Sequence, residues 1–319
     1  MCRGTIRRIS LPLLCALVLT GCGGNPVSTS PAVAAAPVAP PAAPAADTAG
    51  GFDGQRAYDH VADLVAIGPR SAGTEGGRRA REYIIGKLRS FGCPVDQETF
   101  HAQTPAGTVE MTNVIAKITG ARPDVLMFAT HFDTKRLPNF VGADDGGSST
   151  GVMLELARLL CARENTLTIW IVFFDGEEAF GDWSDTDGTY GSRELAARMA
   201  LSGDLRRVKA MILADIVGNR NLRIKRELNS TPWLSDLLWS TAKRLGYEDI
   251  FVSEGTSIED DHLPFLRRQV AAADIINLEI PYWHTPQDTL DKISPRSLAV
   301  VGHVLIETLP ALERRFGAG

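Results

Sequence analysis

Cysteine is scarce: the 319 residues hold five, and three of them (Cys2, Cys15 and Cys22) fall at the N-terminus. Only Cys93 and Cys161 remain for a folded part, so no disulfide scaffold can be built here. Those two either pair in an oxidising compartment or stay as buried thiols, and neither spacing nor context chooses between them. Positive charge is also in short supply. Removing the three arginines near the start leaves 30 basic against 38 acidic side chains, a net of −8. No basic cluster stands out, which argues against a nucleic-acid surface. Long hydrophobic runs are missing too, since the N-terminal run Ile9–Leu19 is too short to span a bilayer. No internal repeat is present, and one large domain is the better reading.

What the N-terminus does hold is a processing signal. Arg3, Arg7 and Arg8 precede the apolar run, and Leu19-Thr20-Gly21-Cys22 follows it. That order reads as a secretory signal over residues 1–22, and its last four residues resemble the bacterial lipobox. Cys22 is thereby expected to be lipidated and to become the mature N-terminus, anchoring an exported protein to a bacterial membrane, facing the periplasm or the cell exterior. Gly23 rather than Asp after the cysteine disfavours, by the same resemblance, retention in the inner membrane. Residues 23–51 are Pro, Ala, Ser and Thr with hardly any charge. Such a stretch cannot bury a core and is expected to be a disordered tether, reaching roughly 90 Å at ~3.1 Å per residue.

Residues 52–319 carry the fold, and Ile169–Trp183 is its centre. Ile169–Phe174 is a short apolar run rich in β-branched and aromatic side chains, expected to be a strand buried on both faces. Asp175, Glu177 and Glu178 follow where that strand ends. Ligands of open α/β sheets bind beyond the carboxyl ends of the strands. Adjacent carboxylates in a dry pocket repel unless a cation or a proton is shared. Around this stretch, Asp53–Ile67 and the segment capped by Thr74 are expected helices. Val95–Phe100 and Met111–Ile118 alternate as strands, plausibly an antiparallel edge. Asp124–Thr130 is a strand that delivers His131 and Asp133, and Ser148–Arg163 is a helix. A helix over Ser192–Leu201, the strand Val208–Ala214 ending at Asp215, and a helix over Ser230–Leu245 come next. Ile250–Val252 and Val270–Ile276 are further strands, and Ser294–Phe316 closes as a long helix. Alternating strands and helices argue for a three-layer α/β/α sandwich with a mostly parallel central sheet.

Polar residues collect after the strand ends: His131, Asp145, Glu177, Glu178, Asp215 and, later, Asp260 and His284. Imidazole and carboxylate are the ligands of catalytic zinc, which keeps one place open for water or substrate. Singly, each has a plainer explanation, such as a structural histidine or a helix-capping aspartate. Together, His131-x-Asp133, Gly142-Ala-Asp-Asp145, Glu177-Glu178, Asp215 and His284 resemble the co-catalytic zinc aminopeptidase superfamily (zinc aminopeptidase-like, phosphorylase/hydrolase type). Within it, Phe140–Ala143, Met153–Arg158, Phe173–Phe180, Trp183-Ser184, Tyr190–Arg193, Asp260–Arg268 and Trp283-His284-Thr285 resemble the glutaminyl-peptide cyclotransferases, or glutaminyl cyclases.

That resemblance implies one catalytic zinc on Asp145, Glu178 and His284, polarising the γ-amide of an N-terminal glutamine as the α-amine attacks it. Glu177 is then the general base, Asp215 and Asp260 a hydrogen-bonded pair holding the departing nitrogen, and Trp183 and Trp283 the pocket walls. Substrates are peptides or proteins with N-terminal glutamine. The alternative in the same superfamily is a di-zinc aminopeptidase, with His131 and Asp215 on a second metal. A third expectation, a metal-free binding lipoprotein on this fold, is disfavoured because no ligand position is lost. Three departures from the secreted eukaryotic cyclases bear on the pocket rim. Thr130 and Thr150 stand where those proteins have a cysteine pair, the segment before Trp283 is short and acidic, and Asn219–Arg226 is a basic loop unlike theirs.

Overall fold

Leu167–Phe174 is buried along its whole length and divides its side chains between two cores. Ile169, Ile171 and Phe173 pack on one face, and Trp170, Val172 and Phe174 on the other. The unbroken apolar run Ile169–Phe174 requires cover on both sides, which the period-two alternation of a strand distributes.

This strand sits in the middle of a sheet in the computed structural model, which describes residues 42–317. The strands are β1 (Val95–Thr104), β2 (Gly107–Ile118), β3 (Arg122–His131), β4 (Leu167–Phe174), β5 (Val208–Asp215) and β8 (Ala272–Ile276), in the order β1-β2-β4-β3-β5-β8. β4, β3, β5 and β8 run parallel, whereas β2 is antiparallel to both β4 and β1. Helices α1 (Gly54–Ile67), α2 (Glu75–Ser90), α3 (Gly147–Cys161), α5 (Pro232–Arg244) and α7 (Pro295–Gly317) cover one face. The other is covered by α4 (Tyr190–Ser202) and the one-turn α6 (Leu263–Leu266). The result is the expected three-layer sandwich. Local chemistry sets the helix ends: Asp53 accepts from the N–H groups of Gln55 and Arg56, and Thr74 from that of Gly77.

Three features differ from the sequence reading or go beyond it. The C-terminal end of the supposed tether is folded. Gly51 N donates to the carbonyl of Ala46, and Ala49 is buried, so the last residues before Phe52 belong to the folded part. Small residues permit this, since a Cβ on Gly50 would lie 2.7 Å from Ile306 Cγ2. The basic loop at Asn219–Arg226 runs into a strand, β6 (Ile224–Glu227), which pairs with β7 (Phe251–Thr256) in a separate two-stranded sheet. Cys93 and Cys161 form a disulfide, joining the turn after α2 to the last residue of α3. The leader, Cys22 and the tether before residue 42 lie outside the described residues.

Candidate metal centre and pocket

The carboxyl ends of the parallel strands supply the site. His131 is the last residue of β3, Asp215 the last of β5, and Glu177 and Glu178 follow β4 after Gly176. The chain turns sharply at two ordinary residues beside these groups: Ile216 has φ 48° and His284 φ 51°. Left-handed backbone is strained for a β-branched residue, and such strain gathers at functional sites. Gly146, next to Asp145, has φ 70°, and a Cβ there would come within 2.9 Å of the His131 ring. Close approach of backbone to imidazole thus requires glycine at this point.

Two donor groups result, each with ligand atoms within 4.8 Å of one another: Asp145, Glu178 and His284, and His131, Asp145 and Asp215. Asp145 belongs to both. His284 Nε2 lies 3.3 Å from Asp145 Oδ2 and 3.2 Å from Glu178 Oε1. His131 Nε2 lies 3.0 Å from Asp215 Oδ1 and 3.4 Å from Asp145 Oδ1. A pocket of about 480 Å³ opens onto Asp145, Glu178 and His284, with Glu177, Asp215 and Asp260 also in its lining. Trp183 and Trp283 form its walls at 38 % and 43 % exposure. Trp283 stacks on His284 with ring centroids 4.1 Å apart. His131 is buried and does not line the pocket.

The electrostatics call for a cation. Burial pushes Glu178 up to about 7, with Asp145 adding to the rise. Burial likewise raises Asp260 to about 7, reinforced by Asp215. Glu177 is pushed well above the carboxylate range by burial, with Glu178 and Asp260 adding while His131 opposes. His284 rises to about 9 because Asp145 and Glu178 outweigh its burial. For Asp145, burial works against the charge, yet bonds from His131 and His284 hold the carboxyl well below its usual range. Crowded carboxylates that must otherwise take up protons are a fitting donor set for a divalent ion. One imidazole, which gives up its proton on binding the ion, and two carboxylates match zinc.

The positions singled out in the sequence converge here. Asp215 and Asp260 share the pocket, and Asp215 is the charged group that raises Asp260 most after burial. Asp215 Oδ1 is engaged by His131, while Asp260 Oδ1 accepts from the Asp261 N–H and its Oδ2 has no partner.

Residues with no role assigned from sequence hold the ligands in place. Asp133 accepts from the N–H groups of Glu177 (3.0 Å) and Glu178 (3.3 Å). Asp288 accepts from those of Asp144 (2.8 Å) and Asp145 (3.0 Å). Arg70, fully buried, donates to the carbonyls of Phe132, Val141 and Gly142 and so ties the end of β3 to the Asp145 loop. For Asp133 the signal was its place two residues after His131. Arg70 and Asp288 had none, because their targets are backbone groups brought near only by folding.

The match with known proteins follows this geometry. Residues 113–309 match peptidase family M28, and the chain belongs to that family. Within it, the chain is 30 % identical over 271 residues to the glutaminyl-peptide cyclotransferase of Drosophila melanogaster, covering 75 % of this chain and 76 % of the relative. The crystal structure of an Acidobacteriales bacterium glutaminyl cyclase superposes with a TM-score of 0.79 at 38 % identity, over 89 % of this chain and all (100 %) of that one. A leucine aminopeptidase precursor from Bacteroides thetaiotaomicron shares the fold at 28 % identity and a TM-score of 0.75, over 81 % of this chain and 97 % of that one.

Proposed function

We infer that the protein is a zinc-dependent glutaminyl cyclase, converting the N-terminal glutamine of peptides or proteins to pyroglutamate with release of ammonia. The observation that carries this reading is the pocket. It opens onto Asp145, Glu178 and His284, places Glu177 and Asp260 beside them, and is walled by two tryptophans. When bound there, one zinc ion supplies the Lewis acidity that polarises the γ-amide carbonyl. The chain's own groups do the rest. Trp183 and Trp283 enclose the glutamine side chain and hold its amide near the α-amine, and ring closure between groups of one residue depends mainly on such positioning. Glu177 takes the proton from the α-amine as the new C–N bond forms and returns it to the nitrogen that leaves as ammonia. A carboxyl raised by burial suits this shuttle, since it can both accept and release a proton near neutral pH. Asp215 and Asp260 face the departing nitrogen from the same lining. His131, off the pocket, holds Asp215 through its 3.0 Å contact.

The runner-up is a di-zinc aminopeptidase, favoured by the second donor group of His131, Asp145 and Asp215. Purified protein offered Gln-β-naphthylamide and Leu-p-nitroanilide, with ammonia release and zinc content measured together, separates the two. Cyclisation with about one zinc per chain is expected. Release of p-nitroaniline with about two sinks the cyclase reading in favour of the peptidase. The protein is also exported and anchored through lipidated Cys22; the Cys93–Cys161 disulfide supports an oxidising compartment.

A further inference from the structure

Behind the pocket wall lies a buried carboxylate that the reaction does not touch. Glu227, the last residue of β6, is 3 % exposed. Its Oε1 accepts from Asn229 N (2.9 Å), Asn229 Nδ2 (2.9 Å) and Ile258 N (3.2 Å). Its Oε2 accepts from Ser230 N (2.7 Å), Ser230 Oγ (2.9 Å) and His262 Nε2 (3.2 Å). Burial opposes the charge, but the bonds from His262, Asn229 and Ser230 outweigh it and hold the group at about 2. Glu227 is therefore an anion with every lone pair engaged, the arrangement in which a buried charge fixes its surroundings.

The partners are placed in a telling way. Ile258 and His262 stand two residues before and two residues after Asp260, and both are gripped by the same carboxylate. Asp260 has little hold of its own, since its Oδ2 has no partner and its Oδ1 meets only the N–H of the next residue. The intervening Glu259 accepts from Trp183 Nε1 at 3.0 Å, so the same segment also steadies a pocket wall. Fully buried His262 turns its other ring nitrogen towards Asp274 of β8 (3.9 Å), and Asp274 N donates to Ser230 Oγ (3.0 Å). The clamp is thus referenced to the central sheet.

We propose that Glu227 is a positioning residue: by gripping the backbone at Ile258 and the imidazole of His262 it sets the Asp260 carboxylate, and with it the Trp183 wall, against the reacting amide. The inference rests on the cyclase reading for its kinetic consequence but not for its geometric one. In Glu227→Gln the amide NH2, whichever way it is turned, faces a backbone N–H of Ser230 or of Ile258, and the clamp loosens.

The test compares Glu227→Gln, Asp260→Asn and the double variant on Gln-β-naphthylamide, with zinc content and a crystal structure of Glu227→Gln. Expected are unchanged zinc, a kcat lower by about 10–100-fold with KM within about threefold, and a displaced Asp260. The double variant should be no slower than Asp260→Asn alone, because Glu227 acts through Asp260. Wild-type kcat in Glu227→Gln, or losses that multiply in the double variant, overturns the proposal. So does an Asp260 that has not moved, whatever substrate the enzyme takes, whereas wild-type protein that fails to cyclise glutamine counts against the cyclase reading instead. If Glu227→Gln does not fold, Ser230→Ala, which removes one donor, is read by the same criteria with a kcat loss of about 3–10-fold.

Discussion

Glu177 and Glu178 are neighbours with separate surroundings. Their N–H groups both donate to Asp133, and from that shared clamp the side chains diverge. Glu178 Oε1 meets His284 and accepts from Lys135 N (3.0 Å), whereas Glu177 Oε2 stands 4.0 Å from His131 Nδ1. Division of labour follows from this divergence. Glu177→Gln is expected to keep its zinc through dialysis while kcat falls by about 10²–10⁴-fold, the usual weight of a general base. Glu178→Gln is expected to lose zinc under the same dialysis. Equal metal loss in both, read by atomic emission, would show the pair to be assigned the wrong way round. His131, Glu177, Glu178 and Asp215 were legible because each closes or follows an apolar strand, whereas Asp145, Asp260 and His284 were legible only through the resemblance their motifs carry. Asp288 and Arg70 were not, since what they bond is backbone.

At the scale of elements, legibility follows burial. β4 could be read as a strand because it is apolar without a break from Ile169 to Phe174, and α1 and α7 because their apolar residues recur at helical spacing. β6 is short and carries Lys225 and Arg226 at its centre, so nothing in its pattern announces a strand. It exists because β7 supplies its hydrogen bonds. The contact between α1 and α2 makes a prediction of its own. His60 is buried with its Nδ1 2.8 Å from Tyr83 Oη, and burial, aided by Lys87, lowers its pKa to about 4. The unfolded chain binds that proton below about 6.5 and the native one does not. His60 therefore costs stability as the pH falls through 6.5 towards 4, by up to about 3 kcal/mol at ~1.36 kcal/mol per pKa unit. Urea unfolding of His60→Gln should show a shallower loss between pH 7 and pH 4.5 than the wild type. An identical slope would mean that the imidazole is not kept neutral.

Across the whole molecule, one covalent cross-link ties the helical layer together. The Cys93–Cys161 bond closes a loop with a sequence separation of 68 residues, and neither cysteine lines the pocket. Replacing both with alanine is expected to lower stability by about 2–4 kcal/mol with kcat unchanged. A variant as stable as the wild type would show the bond to be dispensable. The sequence offered this pairing only as one of two options, because the approach of the two thiols depends on how α2 packs against α3. Central to the account is a single zinc in the pocket-facing group. Anomalous diffraction at the zinc edge from crystals of the native enzyme tests it most directly. One peak coordinated by Asp145, Glu178 and His284 is predicted; a second peak at His131 and Asp215, or none among the first three, would contradict it.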